Sequence, residues 1–198
     1  IAVALCEAIE STAGVSAQVK WPNDLWLGGR KVAGILTEAA ASGTSPCASV
    51  AIVAGIGVNV QGVPSDLADD VAAATTALDL HSRTPVRRED LLAEFLIRLD
   101  REVAALAGGG ALGTADAGDA RSALERRYRG RVALLDSSIR YQVGDVEESG
   151  ILRDVSLTLG LLVERNDGTR AWRPMSQVSD VRAVLDSERG GGGAPPAR

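Results

Sequence analysis

The sequence predicts an α+β protein in which a mixed sheet with flanking helices is followed by a small β-barrel domain. Residues 1–10 and 85–106 repeat apolar side chains at helical spacing, and several strand-like segments lie between them. After Gly130 the chain changes to short strands separated by turn residues. The 198 residues, 45% apolar and 24% charged, are enough for one sizeable domain and one small one.

Three helices are expected in the first part of the chain. Residues 1–10 form the first, and its apolar face consists of Ala2, Leu5, Cys6 and Ile9. Residues 85–106 form the clearest helix, which the triplet Gly108-Gly109-Gly110 ends. A flexible insertion up to Gly118 then precedes a third helix over 119–129.

Strands are expected at 16–21, 25–27, 30–38 and 49–60. Residues 16–21 alternate like a half-buried strand, which Pro22 ends, and Asn23-Asp24 supply a turn. Gly28-Gly29 joins the next two strands in a hairpin that carries Lys31. Glycines within 49–60 suggest close approach of a ligand or another backbone. Residues 61–80 are expected to be a mobile loop with a helical turn.

The predicted domains are residues 1–129, a β domain over 130–185 and a disordered tail over 186–198. The β domain should contain five strands, at 132–135, 139–143, 149–153, 157–164 and 169–173. Asn166-Asp167-Gly168 is a strong hairpin signal within it. Arg129-Gly130-Arg131 is interpreted as the linker between the two domains.

Charge and composition exclude several classes of function. A net charge of -5 and a pI near 5.0 argue against nucleic acid as the main partner. No apolar run reaches the roughly 18 residues of a membrane span. Cys6 and Cys47 show neither a zinc nor a disulfide pattern, and both are expected to be reduced in a cytoplasmic protein. His81, the single histidine, is interpreted as structural or solvent-exposed.

The most informative stretch is Lys20-Trp21-Pro22-Asn23-Asp24, followed by Lys31 in the hairpin. Attack of a carboxylate on an α-phosphate brings two anions together, so fixed cations must stabilise the charge that develops. Two lysines, an Asn-Asp turn and Gly34 in one short stretch therefore suit the activation of a carboxylate by a nucleotide. Trp21, Trp26 and Trp172 are interpreted as packing residues.

Three segments, in this order and spacing, resemble the biotin–protein ligases, which are also called biotin–acetyl-CoA-carboxylase ligases. They are Lys20-Trp21-Pro22-Asn23-Asp24-Leu25, Lys31-Val32-Ala33-Gly34-Ile35-Leu36-Thr37-Glu38 and Gly55-Ile56-Gly57-Val58-Asn59-Val60. The resemblance implies a class II synthetase-like catalytic fold and an SH3-like C-terminal domain. It also implies that biotin and ATP give biotinyl-5′-AMP, from which biotin passes to a lysine of a biotin carboxyl carrier domain.

The resemblance also implies roles for individual residues. Lys31 would reach the biotin carboxylate and the acyl-phosphate, and Lys20 the phosphate. Gly34, Gly55 and Gly57 would let the backbone approach biotin. Asn59 and Asn23 would hold the nucleotide, and Asp24 is a candidate Mg²⁺ ligand. Residues 61–80 would cover the adenylate and exclude water.

These ligases also carry an upstream Gly-Arg-Gly-Arg loop and a Ser-Thr pair that binds the biotin ureido group. No Gly-Arg-Gly-Arg segment occurs in this chain, which begins with Ile1 rather than Met, and the ureido-binding pair is expected to lie outside it. We therefore expect the chain by itself to lack about half of its ligand pocket, to expose a sheet edge and to show no measurable adenylation.

Two other functions stay open. A lipoate or octanoate ligase would share the fold and the acyl chemistry, but the Trp-Pro-Asn-Asp segment together with a C-terminal β domain favours biotin. A non-catalytic module that binds a carrier protein is the other alternative. A repressor role would need a helix-turn-helix outside this chain, and homodimer formation is left open.

Overall fold

A computed structural model describes residues 1–42, 49–107 and 115–184, and its architecture confirms the predicted α+β class. The chain divides into two compact units, Ile1–Ala133 and Leu134–Arg198. Cys47, most of the predicted insertion (108–114) and the predicted tail lie outside the described residues.

The described residues of the first unit form four α-helices, one 3-10 turn and one sheet. The helices are α1 (Ala2–Ala13), α2 (Asp69–Ala73), α3 (Arg88–Ala107) and α4 (Ala115–Arg129), and the 3-10 turn is Leu78–Leu80. The strands are β1 (Gln18–Lys20), β2 (Asp24–Leu27), β3 (Arg30–Ser42) and β4 (Ser49–Val58).

Helix α1 packs against α3 and α4. Its apolar face is fully buried at Ala4, Cys6 and Ile9. The helix runs three residues beyond the predicted end and stops where Gly14 adopts a left-handed φ of 67°. At that position the Gly14 N–H still donates to the Glu10 carbonyl at 3.1 Å, as in a glycine-capped helix end.

Ion pairs between the helices supplement this packing. Arg127 on α4 donates to Glu7 on α1 at 2.7 Å and to Glu102 on α3 at 2.5 Å. Arg131, just after α4, forms two bonds of 2.8 Å to the two carboxylate oxygens of Glu10. Arg131 therefore anchors the end of α4 to α1, a role that its interpretation as a linker residue did not include.

The strands of the first unit form one sheet in the order β1-β2-β3-β4, and every pair in it is antiparallel. Two isolated parallel bridges, Val19–Val132 and Lys31–Thr75, attach other segments to this sheet. Among the described strands β4 pairs only with β3, and Leu36, Ile52 and Val53 are more than 60% exposed. Strand β4 therefore forms one edge of the described sheet, and the exposure of an edge through absent strands stays a prediction.

Among the boundaries that differ from the sequence-based expectation, three concern residues 132–135 and the starts of α3 and α4. Residues 133–135 form turns rather than a strand, and Val132 forms an isolated bridge to Val19, in which the Val19 N–H donates to the Arg131 carbonyl and the Ala133 N–H donates to the Val19 carbonyl. Helix α3 begins at Arg88 and not at residue 85, after an extended stretch that contains Pro85. Helix α4 begins at Ala115, so residues 115–118 are helical and not part of a loop.

The second unit is a five-stranded antiparallel sheet in the order β8-β7-β6-β5-β9. Its strands are β5 (Ser138–Val143), β6 (Val146–Ser156), β7 (Gly160–Glu164), β8 (Arg170–Arg173) and β9 (Val178–Ala183). Strand β9 was not predicted, because its exposed residues and Asp180, with a φ of 51°, do not follow a strand pattern. The SH3-like character of this unit stays a prediction.

Tyr141 is the largest buried side chain of the second unit. Its hydroxyl donates to Glu148 at 2.8 Å, and Arg173 also donates to that carboxylate, at 2.5 Å. The sheet thus buries a tyrosine without leaving its polar end unpaired, as buried hydroxyls require. Within the described residues, no helix has the length and apolarity to cross a membrane.

Cys6 should be inert in the folded protein. The residue is fully buried, and burial raises the pKa of its thiol to about 12, so almost no thiolate forms at pH 8. In a Cys47→Ser variant, we expect Ellman's reagent to detect no thiol in native buffer and one thiol in 6 M guanidinium. Rapid reaction of Cys6 in native buffer would contradict its burial.

The Glu10–Arg131 pair should make the first unit sensitive to acid. Hydrogen bonding to Arg131 holds the pKa of the Glu10 carboxyl below its usual range, so its stabilisation is present at neutral pH and lost as pH falls through that lowered pKa. We expect Glu10→Gln to lower the free energy of unfolding by about 1 kcal/mol at pH 7 and by less at pH 3.

Urea titration followed by tryptophan fluorescence measures this in a Trp172→Phe background, where only Trp21 and Trp26 in the first unit report. Glu89→Gln is the matched control, because the Glu89 side chain is 76% exposed and contacts Arg87 only at 3.9 Å. An equal loss for Glu10→Gln at both pH values would show that the carboxylate charge is not responsible.

Candidate functional site

A β-bulge in β3 determines the direction of the Lys31 side chain. Leu25 pairs with Ala33, but the next residue of β2, Trp26, pairs with Lys31, so Val32 is an extra residue in β3. Val32 and Ala33 are consequently both buried instead of alternating between the two faces. The phase of the strand shifts by one residue, and Lys31 comes to the same face as Gly34.

A pocket of about 500 Å³ opens on this face of the sheet. One wall is formed by β3 and the end of β4, and the other by the segment between β4 and α3. The sheet contributes Lys31, Ala33, Gly34, Gly57, Val58 and Asn59, and the segment contributes Pro64, Leu67, Val71 and Thr75. Gly34 and Gly57 are direct partners in the β3–β4 register. The wall formed by the sheet, called the floor below, therefore carries no side chain at that pair.

The second wall is joined to the backbone of Lys31. The Lys31 N–H donates to the Ala74 carbonyl at 2.8 Å, and the Thr76 N–H donates to the Lys31 carbonyl at 2.8 Å. Thr75 lies between these two bonds, and its hydroxyl donates to the Val71 carbonyl of α2 at 2.6 Å. Lys31 therefore supplies the ammonium group at the pocket and also binds the opposite wall through its backbone.

Asn59 connects the bulge to the same wall. Its backbone N–H donates to the carbonyl of the bulged residue Val32 at 2.9 Å, and its side-chain Nδ2 donates to the Thr76 carbonyl at 3.0 Å. Its own carbonyl accepts from the Leu78 N–H at 2.9 Å. Asn59 thus satisfies backbone groups that the irregular strand leaves without ladder partners.

Lys31 and Asp24 form an ion pair over Gly34. Lys31 Nζ lies 2.6 Å from Asp24 Oδ1, and the two side chains are 46% and 17% exposed. A Cβ at Gly34 would lie 3.2 Å from Lys31 Nζ and 3.5 Å from Asp24 Oδ1. The pair occupies the space that glycine leaves, with the ammonium at the pocket.

Three other predicted residues lie outside the lining of this pocket. Lys20 Nζ lies over the Trp26 ring, 5.7 Å from its centre. Asn23 is bound to β3, because its Nδ2 donates to the Ile35 carbonyl at 3.0 Å and its carbonyl accepts from the Ile35 N–H. Gly55 pairs with Leu36, two residues before Gly57 on β4. The functional roles predicted for all three remain predictions.

Sequence reasoning assigned residues 61–80 to a covering loop but missed which of them line the pocket. Pro64, Leu67 and Val71 form its apolar side. Thr76, which is fully buried, bonds through its Oγ1 to His81 Nε2 at 2.8 Å, so His81 has the structural role that was expected. Apolar residues show no regular spacing in this segment, so the sequence does not reveal which of them line the pocket. The Thr75-Thr76 pair among apolar residues is the feature of the sequence that could have indicated a buried polar contact here.

The described residues contain no group of three His, Cys, Asp or Glu side chains placed to hold a metal ion. Asp24 offers a single carboxylate, and Lys31 already contacts one of its oxygens. The assignment of Asp24 to a metal stays a prediction.

Comparison with known proteins identifies relatives of this chain. Residues 1–59 match the profile of the Biotin/lipoate A/B protein ligase family. The chain is 32% identical over 184 residues to the biotin–[acetyl-CoA-carboxylase] ligase of Paracoccus denitrificans, covering 89% of this chain and 69% of that protein. It is also 32% identical over 100 residues to the bifunctional ligase/repressor BirA of Bacillus subtilis, of which the match spans 30%.

Solved structures agree on the fold. The biotin protein ligase from Aquifex aeolicus superposes with a TM-score of 0.69 at 19% identity, covering 92% of this chain and 72% of that one. The same ligase in complex with biotin and ATP gives a TM-score of 0.69. The match to the Paracoccus protein over more than two thirds of its length shows that this chain belongs to the biotin–protein ligase family.

Proposed function

We propose that this protein activates biotin with ATP to form biotinyl-5′-AMP and transfers the biotinyl group to a lysine of a biotin carboxyl carrier domain. The observation that carries this proposal is the pocket over Gly34 and Gly57, into which the β-bulge directs Lys31. Names of relatives that are biotin ligases, and the Aquifex aeolicus ligase in complex with biotin and ATP, support the same substrates.

Lys31 would act in the first step. A carboxylate oxygen of biotin attacks the α-phosphorus of ATP, the bond from phosphorus to the bridging oxygen breaks, and pyrophosphate leaves. Negative charge accumulates on the phosphoryl oxygens as this happens, and an ammonium group held at the pocket wall stabilises it. Lys20 is proposed to assist at the phosphates, for which its ammonium would leave the Trp26 ring.

The floor and the apolar wall would hold the substrates. Without side chains at Gly34 and Gly57, the biotin chain can lie directly on the backbone of β3 and β4. Pro64, Leu67 and Val71 would cover the ligand from the other side. Exclusion of water there protects the acyl-adenylate from hydrolysis until the carrier lysine attacks its carbonyl carbon and AMP leaves.

The proposed partner is a carrier domain with an exposed lysine, and homodimer formation stays a prediction. A ligase for lipoate or octanoate would use the same chemistry, as the breadth of the matching family profile indicates. A module that only binds the carrier would need no ammonium at the pocket. These alternatives differ in what the pocket accepts and in whether pyrophosphate is released.

Isothermal titration and pyrophosphate release, measured on the protein expressed from its complete coding sequence, test the proposal. We expect binding and turnover with biotin plus ATP and neither with lipoate plus ATP. Lys31→Ala should slow biotinyl-AMP formation at least about a hundredfold, as loss of a charge-stabilising group at a reacting phosphate does. Arg30→Ala is the matched control, since Arg30 is the neighbouring exposed cation and does not line the pocket.

Turnover with lipoate in place of biotin would establish the alternative ligase. Binding of a carrier domain without pyrophosphate release would establish the interaction module. The 198-residue chain, which contains no Gly-Arg-Gly-Arg segment, is expected to form no measurable biotinyl-AMP. Formation of biotinyl-AMP by this chain at a ligase-like rate would show that such a segment is dispensable.

Loss of the Asn59 side chain should loosen the pocket wall. Asn59→Ala removes the bond from Nδ2 to the Thr76 carbonyl and costs about 1–2 kcal/mol, which corresponds to roughly a tenfold rise in the Kd for biotin with ATP. Hydrogen exchange should accelerate at the amides of Lys31 and Thr76. The exposed neighbour Gln61→Ala serves as control, and unchanged exchange in Asn59→Ala would contradict this role.

A further inference from the structure

The ammonium of Lys31 does not project freely into the pocket. It is held at 2.6 Å by Asp24 Oδ1, a carboxylate that is itself mostly buried, with 17% of its side chain exposed. A long lysine side chain on a pocket wall has many rotamers, and a fixed counter-ion reduces them before a ligand arrives.

The place of this contact is set by three backbone features that converge. The bulge at Val32 brings Lys31 to the face of Gly34. Asp24 is the direct register partner of Gly34, so its carboxylate lies across from the one residue of β3 that has no side chain there. A Cβ at Gly34 would be 3.2 Å from Nζ and 3.3 Å from Cε of Lys31, closer than ordinary contact.

We propose that Asp24 is a positioning residue, which holds the Lys31 ammonium in the space above Gly34 and so fixes the orientation in which it meets the reacting phosphate. Gly34 contributes to the same positioning, because the absent Cβ leaves room for the Asp24–Lys31 ion pair. This inference rests on the proposed adenylation. It assigns Asp24 to Lys31 rather than to a metal ion.

Charge arrangement on this face favours Lys31 as the partner. Asp24 is also the register partner of Lys20, so two cations flank one carboxylate. The Lys20 ammonium lies over Trp26, whereas the Lys31 ammonium forms an ion pair with Asp24. Asp24 thus stabilises the lysine at the pocket and leaves the other to the aromatic ring.

A double-mutant cycle on the protein expressed from its complete coding sequence tests the proposal. For Asp24→Asn we expect kcat for biotinyl-AMP formation to fall about tenfold, while the KM for biotin does not rise, because the ammonium keeps its charge and loses its orientation. In a Lys31→Ala background, Asp24→Asn should have no further effect, since Asp24 acts through Lys31. Rates are normalised to the binding-competent fraction from calorimetry.

Two further variants separate positioning from folding. Gly34→Ala should also lower kcat, because the methyl group displaces the ammonium, and unlike Asp24→Asn it should raise the KM for biotin, because it covers the backbone on which the biotin chain lies. Asp24→Glu, which keeps a carboxylate on this face, should recover part of the lost rate. Glu38→Gln, which removes an exposed carboxylate from β3 away from the pocket lining, should leave kcat unchanged.

A direct measurement checks the ion pair without turnover. The Lys31 ammonium should give a protected ¹⁵N NMR signal in the unmodified protein, and the signal should be lost in Asp24→Asn. Additive losses from Asp24→Asn and Lys31→Ala would overturn the proposal. Recovery of Asp24→Asn by excess Mg²⁺ would overturn it too and assign Asp24 to the metal. If the unmodified protein forms no biotinyl-AMP, the proposed function itself fails. That outcome is distinct from additive losses and from recovery by Mg²⁺, which would overturn only the role of Asp24.

Discussion

The extra residue in β3 is the constraint on which the site depends. With regular pairing, Lys31 and Gly34 would lie on opposite faces of the strand. The bulge at Val32 puts them on one face and leaves a carbonyl for Asn59 to bind. At the same irregularity, the backbone of Lys31 pairs with residues 74–76. The β-bulge therefore positions the Lys31 ammonium, the floor and the second wall of the pocket.

This dependence explains which parts of the site can be read from the sequence. The helices and the hairpin follow from periodicity and from glycine at the turns, and the three motif segments identify the family. The alternation of apolar and polar residues cannot place Lys31 beside Asp24, because the bulge changes the phase of the strand and no residue type predicts a bulge there. The apolar wall is equally hidden, since Pro64, Leu67 and Val71 follow no regular spacing and are brought together by long-range backbone bonds.

The second unit also contains structure that local sequence patterns do not predict. Four of its five strands were predicted, because turn residues separate runs with strand character. Strand β9 was not, because its residues gain their pairing from β5 and not from a local pattern. Residues 132–135 have strand-like composition, yet 133–135 form turns and Val132 forms an isolated bridge to Val19 of the distant strand β1. In each case a contact distant in sequence overrides the local preference.

Strand β1 illustrates what such contacts mean for the order of assembly. Its central residue, Val19, accepts a bond from Ala133 and donates one to Arg131, near the end of the first unit. The hairpin of β1 and β2 therefore cannot complete its backbone bonding during synthesis until the ribosome has passed α2, α3 and α4. The strand that carries Lys20 is made long before the residues that secure it, so the site forms only as the whole unit closes.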